Sequence, residues 1–165
     1  MIDMPEYEVY AIKYGDHQRM RQENFLFKDP HDEASCIDFF IWVIQGGGKT
    51  YVIDVGFEYR EAEARGRSLH RLPSEAVRMM GADPGKIDDV IITHLHYDHA
   101  GDLESFPNAR FCLQDREMAY ATGRCMCHAP LRHAYAVDYV ANMVRQALLL
   151  ASVFAGTCAY VGAPW

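Results

Sequence analysis

Residues 87–102 read IDDVIITHLHYDHAGD, an apolar run that ends in a cluster of metal-type donors. Ile87 to Thr93 is apolar and β-branched, which predicts a short strand. His94-Leu95-His96-Tyr97-Asp98-His99 follows, then Ala100-Gly101, so the cluster falls on a strand-to-helix loop. In an extended segment alternate residues point the same way, which puts His94 and His96 together. The turn then swings Asp98 and His99 to a neighbouring position. Imidazole nitrogen and carboxylate oxygen are the donor set of zinc or a similar divalent ion. Two His on one metal, with Asp and His on a second, would form half of each site of a two-metal centre. Such a centre activates a bridging water and polarises a carbonyl oxygen, which is hydrolytic chemistry. The competing reading is a His-rich surface loop or a capped helix start. Three His and one Asp within six residues weigh against it.

Outward from this stretch, strands and helices alternate. Tyr7 to Tyr14 predicts a strand, and the polar stretch 15–35 predicts a long loop. Ile37 to Ile44 (IDFFIWVI) and Tyr51 to Val55 predict two strands, with QGGGKT between them as a hairpin turn. The GKT at its end mimics a phosphate-binding loop, but Val43 stands where that loop needs its first glycine. Glu58 to His70 predicts an exposed helix or mobile segment. Leu72 to Met80 predicts a helix with Ser74 as N-cap and Gly81 as the stop. Arg110 to Leu113 predicts a strand, and Asp115 to Thr122 a short helix. Ala136 to Leu150 predicts a helix with Val137, Val140, Met143, Val144 and Leu148 inward. Mixed strands and helices over the whole length indicate an α/β or α+β chain.

The 165 residues suit one domain, and a net charge of -7 leaves no basic face for nucleic acid. An anionic membrane surface is disfavoured for the same reason. The start, MIDMPEYEVYAIKYG, has no basic region followed by an apolar run, so no secretory signal is read and a cytoplasmic location is expected. Cys36, Cys112, Cys125, Cys127 and Cys158 are expected as reduced, buried small hydrophobes. Cys125-Met126-Cys127-His128 is one residue short of a haem-attachment motif. His17, His31 and His70 lie in polar segments and are expected in solvent.

The end of the chain differs in composition. All 39 charged side chains fall within residues 1–146, and residues 147–165 carry none. The readings are a tail anchor, a buried strand pair, or an aberrant end from a truncated or frameshifted longer protein. Two glycines, a proline and no distal basic flank make the anchor a poor choice. The expected division is therefore a hydrolase domain over 1–146 and a charge-free tail over 147–165.

The motif and its approach resemble the metallo-β-lactamase fold superfamily. The matching pieces are Asp54 in YVIDVGF, DVIITHLHYDHAGD, and the return strand in FPNARFCLQDRE. More narrowly, YEVYAIKYG, ENFLFKDPHD, IDFFIWVI and QDREMAYATGRC resemble the N-acyl homoserine lactonase family, over roughly residues 5 to 146. The resemblance implies an α/β fold, the N-terminal portion of an αββα sandwich. It implies two Zn2+ ions, with His94 and His96 on the first and Asp98 and His99 on the second. Asp98 would also be the catalytic residue that orients the attacking hydroxide, and Asp54 would hold a ligand imidazole or the loop in place. The implied reaction is opening of the lactone ring of an N-acyl homoserine lactone, a small-molecule substrate, as in quorum quenching. A thioesterase of the glyoxalase II kind, a β-lactam hydrolase or an inactive remnant are the alternatives. The resemblance departs in its second half. A further His, a bridging Asp and a final His are expected well beyond His99, yet the last His is His133 and the last Asp is Asp138. Oligomeric state is left open.

Overall fold

The computed structural model describes residues 5–27 and 30–151. Six strands form one mixed sheet: β1 (Tyr7–Met20), β2 (Ala34–Gly46), β3 (Lys49–Ile53), β4 (Ser68–Leu69), β5 (Asp89–Ile91) and β6 (Arg110–Cys112). Their order is β4-β1-β2-β3-β5-β6, antiparallel as far as β3 and parallel from β3 through β5 to β6. Five helices accompany them: α1 (Tyr59–Arg65), α2 (Pro73–Met79), α3 (Asp115–Ala121), α4 (Ala129–Arg132) and α5 (Val137–Ala151). The α/β class is as expected.

Strand alternation divides the sheet into two unlike faces. Phe39, Ile41 and Val43 of β2, Val52 of β3 and Val90 of β5 are buried in one core with Ala76 and Val77 of α2 and Tyr139 and Met143 of α5. The opposite face takes no part in that core. Gly47 and Gly48 make the two-residue turn between β2 and β3 with φ of 56° and 73°. Both positive angles belong to a hairpin turn whose twist matches the strands, so the phosphate-loop reading has no place here.

Several expectations need correction. The polar stretch after Tyr14 is not all loop: β1 continues to Met20, past a bulge at Tyr14, and pairs with β2 as far as Met20–Ala34. Its outward side chains are polar because they form ion pairs, Lys13 with Asp16 at 3.2 Å and with Asp38 at 2.7 Å. The N-cap of α2 is Leu72, and Ser74 is buried with its N–H donated to Asp102 at 2.9 Å. In α5, Tyr139 and Met143 face inward, whereas Val137 is 80% and Leu148 72% exposed. At about 100° per residue, position 137 lies opposite 139, and 148 lies well around from 143. Cys36, Cys112 and Cys127 are exposed and Cys125 half-buried, because Cys36 and Cys112 fall on the uncovered face and the other two on a surface turn. Cys158 lies outside the described residues. His17 is partly buried with Nε2 2.9 Å from Arg67, since the prolonged β1 carries it onto the covered side.

The expected boundary at 146 falls within α5, and residues 152–165 lie outside those described. Among the described residues, no helix is long and apolar enough to cross a membrane.

Candidate metal centre

The carboxyl ends of β3 and β5 lie side by side, and the loop 94–99 springs from the second. In parallel sheets this edge is where ligand sites form. Asp54 closes β3 by donating its N–H to Ile91 at 2.8 Å. It does so with φ 61°, a left-handed conformation that Asp tolerates better than most residues. Val55 then donates to the carbonyl of His99 at 2.8 Å, and Asp102 donates back to Val55 at 3.0 Å. Gly101 sits where the two segments touch. A Cβ there would lie 2.6 Å from the Gly56 carbonyl and 2.7 Å from Phe57 Cα, so only glycine fits.

Alternation continues through the motif itself. Leu95 and Tyr97 are buried, while His94, His96 and Asp98 are half-exposed. The Leu95 N–H donates to Glu117 Oε1 at 2.9 Å, and the Tyr97 N–H donates to the Ala134 carbonyl at 2.8 Å. The Tyr97 ring is clamped by the Arg65 guanidinium 4.1 Å from its centroid. Tyr14 donates its hydroxyl to the Asp98 carbonyl at 2.8 Å. The inward residues thus hold the loop and leave the donor side chains facing out.

The three imidazoles gather closely. The ring of His94 is 4.4 Å from that of His96 and 3.9 Å from that of His99. Asp54 Oδ2 lies 2.7 Å from His99 Nδ1, which leaves Nε2 3.4 Å from Asp98 Oδ2. Burial pulls the His99 imidazole down, but the hydrogen bonds to Asp54 and Asp98 and their charges outweigh it and raise it to about 9. Burial lowers His94, assisted by the charges of His99 and His96, and burial also lowers His96. Burial raises the Asp98 carboxyl, yet its hydrogen bond to His99 and that charge bring it below the ordinary value.

His94 and His96, neutral beside the ionised Asp98, are in the form that binds a divalent ion, whereas His99, raised to about 9, must give up a proton before it can ligate one. The fixed Nδ1 of His99 is the arrangement that orients a ligand imidazole. The donor chemistry of His94, His96, Asp98 and His99 therefore fits a divalent ion such as zinc. The nitrogens and oxygens are not drawn into one tight set, however. Among the described residues, the group of three ligand atoms lying within 4.8 Å of one another is Asp16, Cys36 and Asp38. That group is on β1 and β2, with Lys13 already between its carboxylates. A cavity of about 540 Å³ lies between α1 and α5 and includes none of residues 94–99. His128 and His133 are exposed.

Thr93, Glu117, Tyr135 and Tyr14 were not singled out by sequence reasoning. The Thr93 hydroxyl bonds Asp54 Oδ2 at 2.8 Å and lies 3.0 Å from His94 Nδ1. Tyr135 packs edge-on to His96 at 4.8 Å and donates to Glu117 at 3.0 Å. Thr93 adjoins the motif in sequence. The others arrive from distant parts of the chain.

The family model of the metallo-beta-lactamase superfamily matches residues 40–134. An N-acyl homoserine lactonase AttM of Azorhizobium caulinodans is 44% identical over 45 residues, 27% of this chain and 17% of that protein. An N-acyl homoserine lactonase AiiB of Agrobacterium fabrum is 41% identical over 56 residues, 34% of this chain and 20% of that protein. A solved quorum-quenching N-acyl homoserine lactone lactonase superposes with a TM-score of 0.64 at 17% identity. It covers 80% of this chain but only 52% of its own, so the chain spans about half the length of that structure.

Proposed function

The chain belongs to the metallo-beta-lactamase superfamily, and from that premise we propose that it is a zinc-dependent hydrolase that opens the ring of N-acyl homoserine lactones. The observation that carries this reading is the Asp54–His99 contact at 2.7 Å within the His94–His99 cluster. A bound zinc would lower the pKa of a water and polarise a carbonyl oxygen, which is what ester hydrolysis requires. His94 and His96 would hold the first ion, and Asp98 and His99 the second.

The chain's own residues have definite tasks in this reading. Burial favours the uncharged form of His94 and His96, in which each keeps one ring nitrogen free of a proton to ligate a metal. Asp54 and Thr93 set the orientation of His99 through Nδ1. Tyr14 fixes the backbone at Asp98, whose carboxylate stays ionised and able to orient or accept a proton. Local identity to proteins named N-acyl homoserine lactonases supports a lactone, rather than another carbonyl compound, as the substrate of this chain.

The test is acid release on ring opening, followed by titration, with zinc-loaded protein and an N-acyl homoserine lactone. Release that needs zinc and is lost in His96→Ala is expected. Hydrolysis of a thioester but not a lactone would replace the substrate assignment, and no zinc-dependent hydrolysis of either would overturn the reading.

A further inference from the structure

A single carboxylate oxygen from outside the motif holds two groups that flank His94 and His96. Strand β6 runs parallel to β5, with Cys112 opposite Ile91, and the Ile92 N–H donates to the Cys112 carbonyl at 2.9 Å. Helix α3 begins at Asp115, just beyond, so its first turn stands beside the start of loop 94–99 and carries Glu117 there. Oε1 of Glu117 accepts the Leu95 N–H at 2.9 Å and the Tyr135 hydroxyl at 3.0 Å.

Both bonds bear on the donor side chains. Leu95 separates the two histidines, and its own side chain is fully buried. Holding its N–H fixes the backbone between His94 and His96, and with it the direction each imidazole takes. Tyr135 acts on the ring: its plane stands at 90° to that of His96, with centroids 4.8 Å apart. The backbone at Tyr135 is itself secured. It forms an antiparallel bridge with His96, and the Tyr97 N–H donates to the Ala134 carbonyl at 2.8 Å. Arg65 donates to the carbonyls of His133 and Tyr135 at 2.8 and 3.2 Å.

We infer that Glu117 is a positioning residue for His94 and His96. It sets their separation through Leu95 and the ring angle of His96 through Tyr135. A carboxylate suits the task, because one oxygen can accept two donors. Supports of this kind change metal affinity without touching the metal. Asp54 does the corresponding work at His99. The inference rests on the zinc reading of loop 94–99 and adds a readout that needs no metal.

The test pairs hydrogen exchange at the Leu95 amide of metal-free protein with zinc affinity, measured by competition against a chromophoric chelator. Glu117→Ala should speed that exchange about tenfold or more. It should also weaken zinc binding about 10–100-fold. Glu117→Gln keeps a carbonyl oxygen and should restore slow exchange and most of the affinity. Tyr135→Phe keeps the ring but frees it from Glu117, so affinity should fall less while the Leu95 amide stays protected. Asp16→Asn lowers stability away from the loop, and its zinc affinity should match wild type. Should Glu117→Ala fail to fold by circular dichroism, Glu117→Asp, which withdraws the oxygen by one methylene, takes its place with the same expectations. Unchanged exchange at Leu95 overturns the inference. Faster exchange with wild-type zinc affinity, no rescue by Glu117→Gln, or an equal loss in Asp16→Asn also overturns it. A wild type that binds no zinc overturns the zinc reading, and this inference with it, before any variant is compared.

Discussion

Asp54 Oδ2 lies 2.7 Å from His99 Nδ1, and the same carboxylate accepts the Thr93 N–H at 2.8 Å. One buried acid just past β3 thereby ties the segment that follows β5 to the far end of the motif. Asp54 reaches this position only because its backbone turns left-handed at φ 61°.

Asp54→Asn keeps a residue that tolerates this backbone but removes the charge facing His99. Zinc affinity should fall about 10–100-fold with the fold retained. Asp54→Ala adds the left-handed penalty of about 1–2 kcal/mol and loses every hydrogen bond. Melting temperatures should therefore run wild type, Asn, Ala in descending order. Equal melting of all three would contradict the role given to this carboxylate.

Thr93→Val preserves shape and removes the hydroxyl between Asp54 and His94. Thr93 itself is solvent-exposed, so the loss should be modest, about 1 kcal/mol in denaturant unfolding. Thr93→Ser retains the hydroxyl and should recover most of it. A Val variant as stable as the Ser variant would remove the hydroxyl from the account.

Gly101→Ala places a methyl against the backbone of Gly56 and Phe57, neither of which can rotate away. A cost of about 1–3 kcal/mol is expected, read as a lower denaturant midpoint. The companion change Gly48→Ala meets open space and should cost only the strain of its positive φ. The two variants should separate clearly, and equal midpoints would show that segments 54–57 and 99–102 do not pack as described.

Asp16 supplies the pH dependence. The hydrogen bond from His70 lowers its carboxyl most, burial pushes back, and Lys13 lowers it further, so it sits below its ordinary value of 3.8. A depressed folded value means that the ionised group stabilises the fold above 3.8 and that this stabilisation fades as pH falls through the folded value. Asp16→Asn should thus melt below wild type near neutrality, with the gap closing as pH falls below the ordinary carboxylate range. A gap that stays constant across that window would exclude the ion pairs as its source.

Much of this architecture is legible in the order of residues. The run IDFFIWVI with its glycine turn declares a hairpin, and the donors of His94 to His99 declare a metal-type loop, because periodicity and chemistry are local there. Gly15–Met20 looks like loop since its polar side chains find distant partners, Asp16 at His70 and His17 at Arg67, which no local pattern reveals. Leu148 looks inward by type and is outward by angle, as the position of Tyr139 on the helix decides the buried stripe. The supports from Tyr14, Glu117 and Tyr135 come from 84, 22 and 39 residues away in sequence, so only the folded chain brings them to the loop.

Zinc per chain tests the central claim most directly, by elemental analysis after exhaustive dialysis of the wild-type protein and of His94→Ala/His96→Ala. The account predicts retained zinc in the wild type and its loss in the double variant, with the fold of both intact by circular dichroism. Wild-type zinc no higher than that of the double variant would contradict the assignment of His94, His96, Asp98 and His99 as metal ligands.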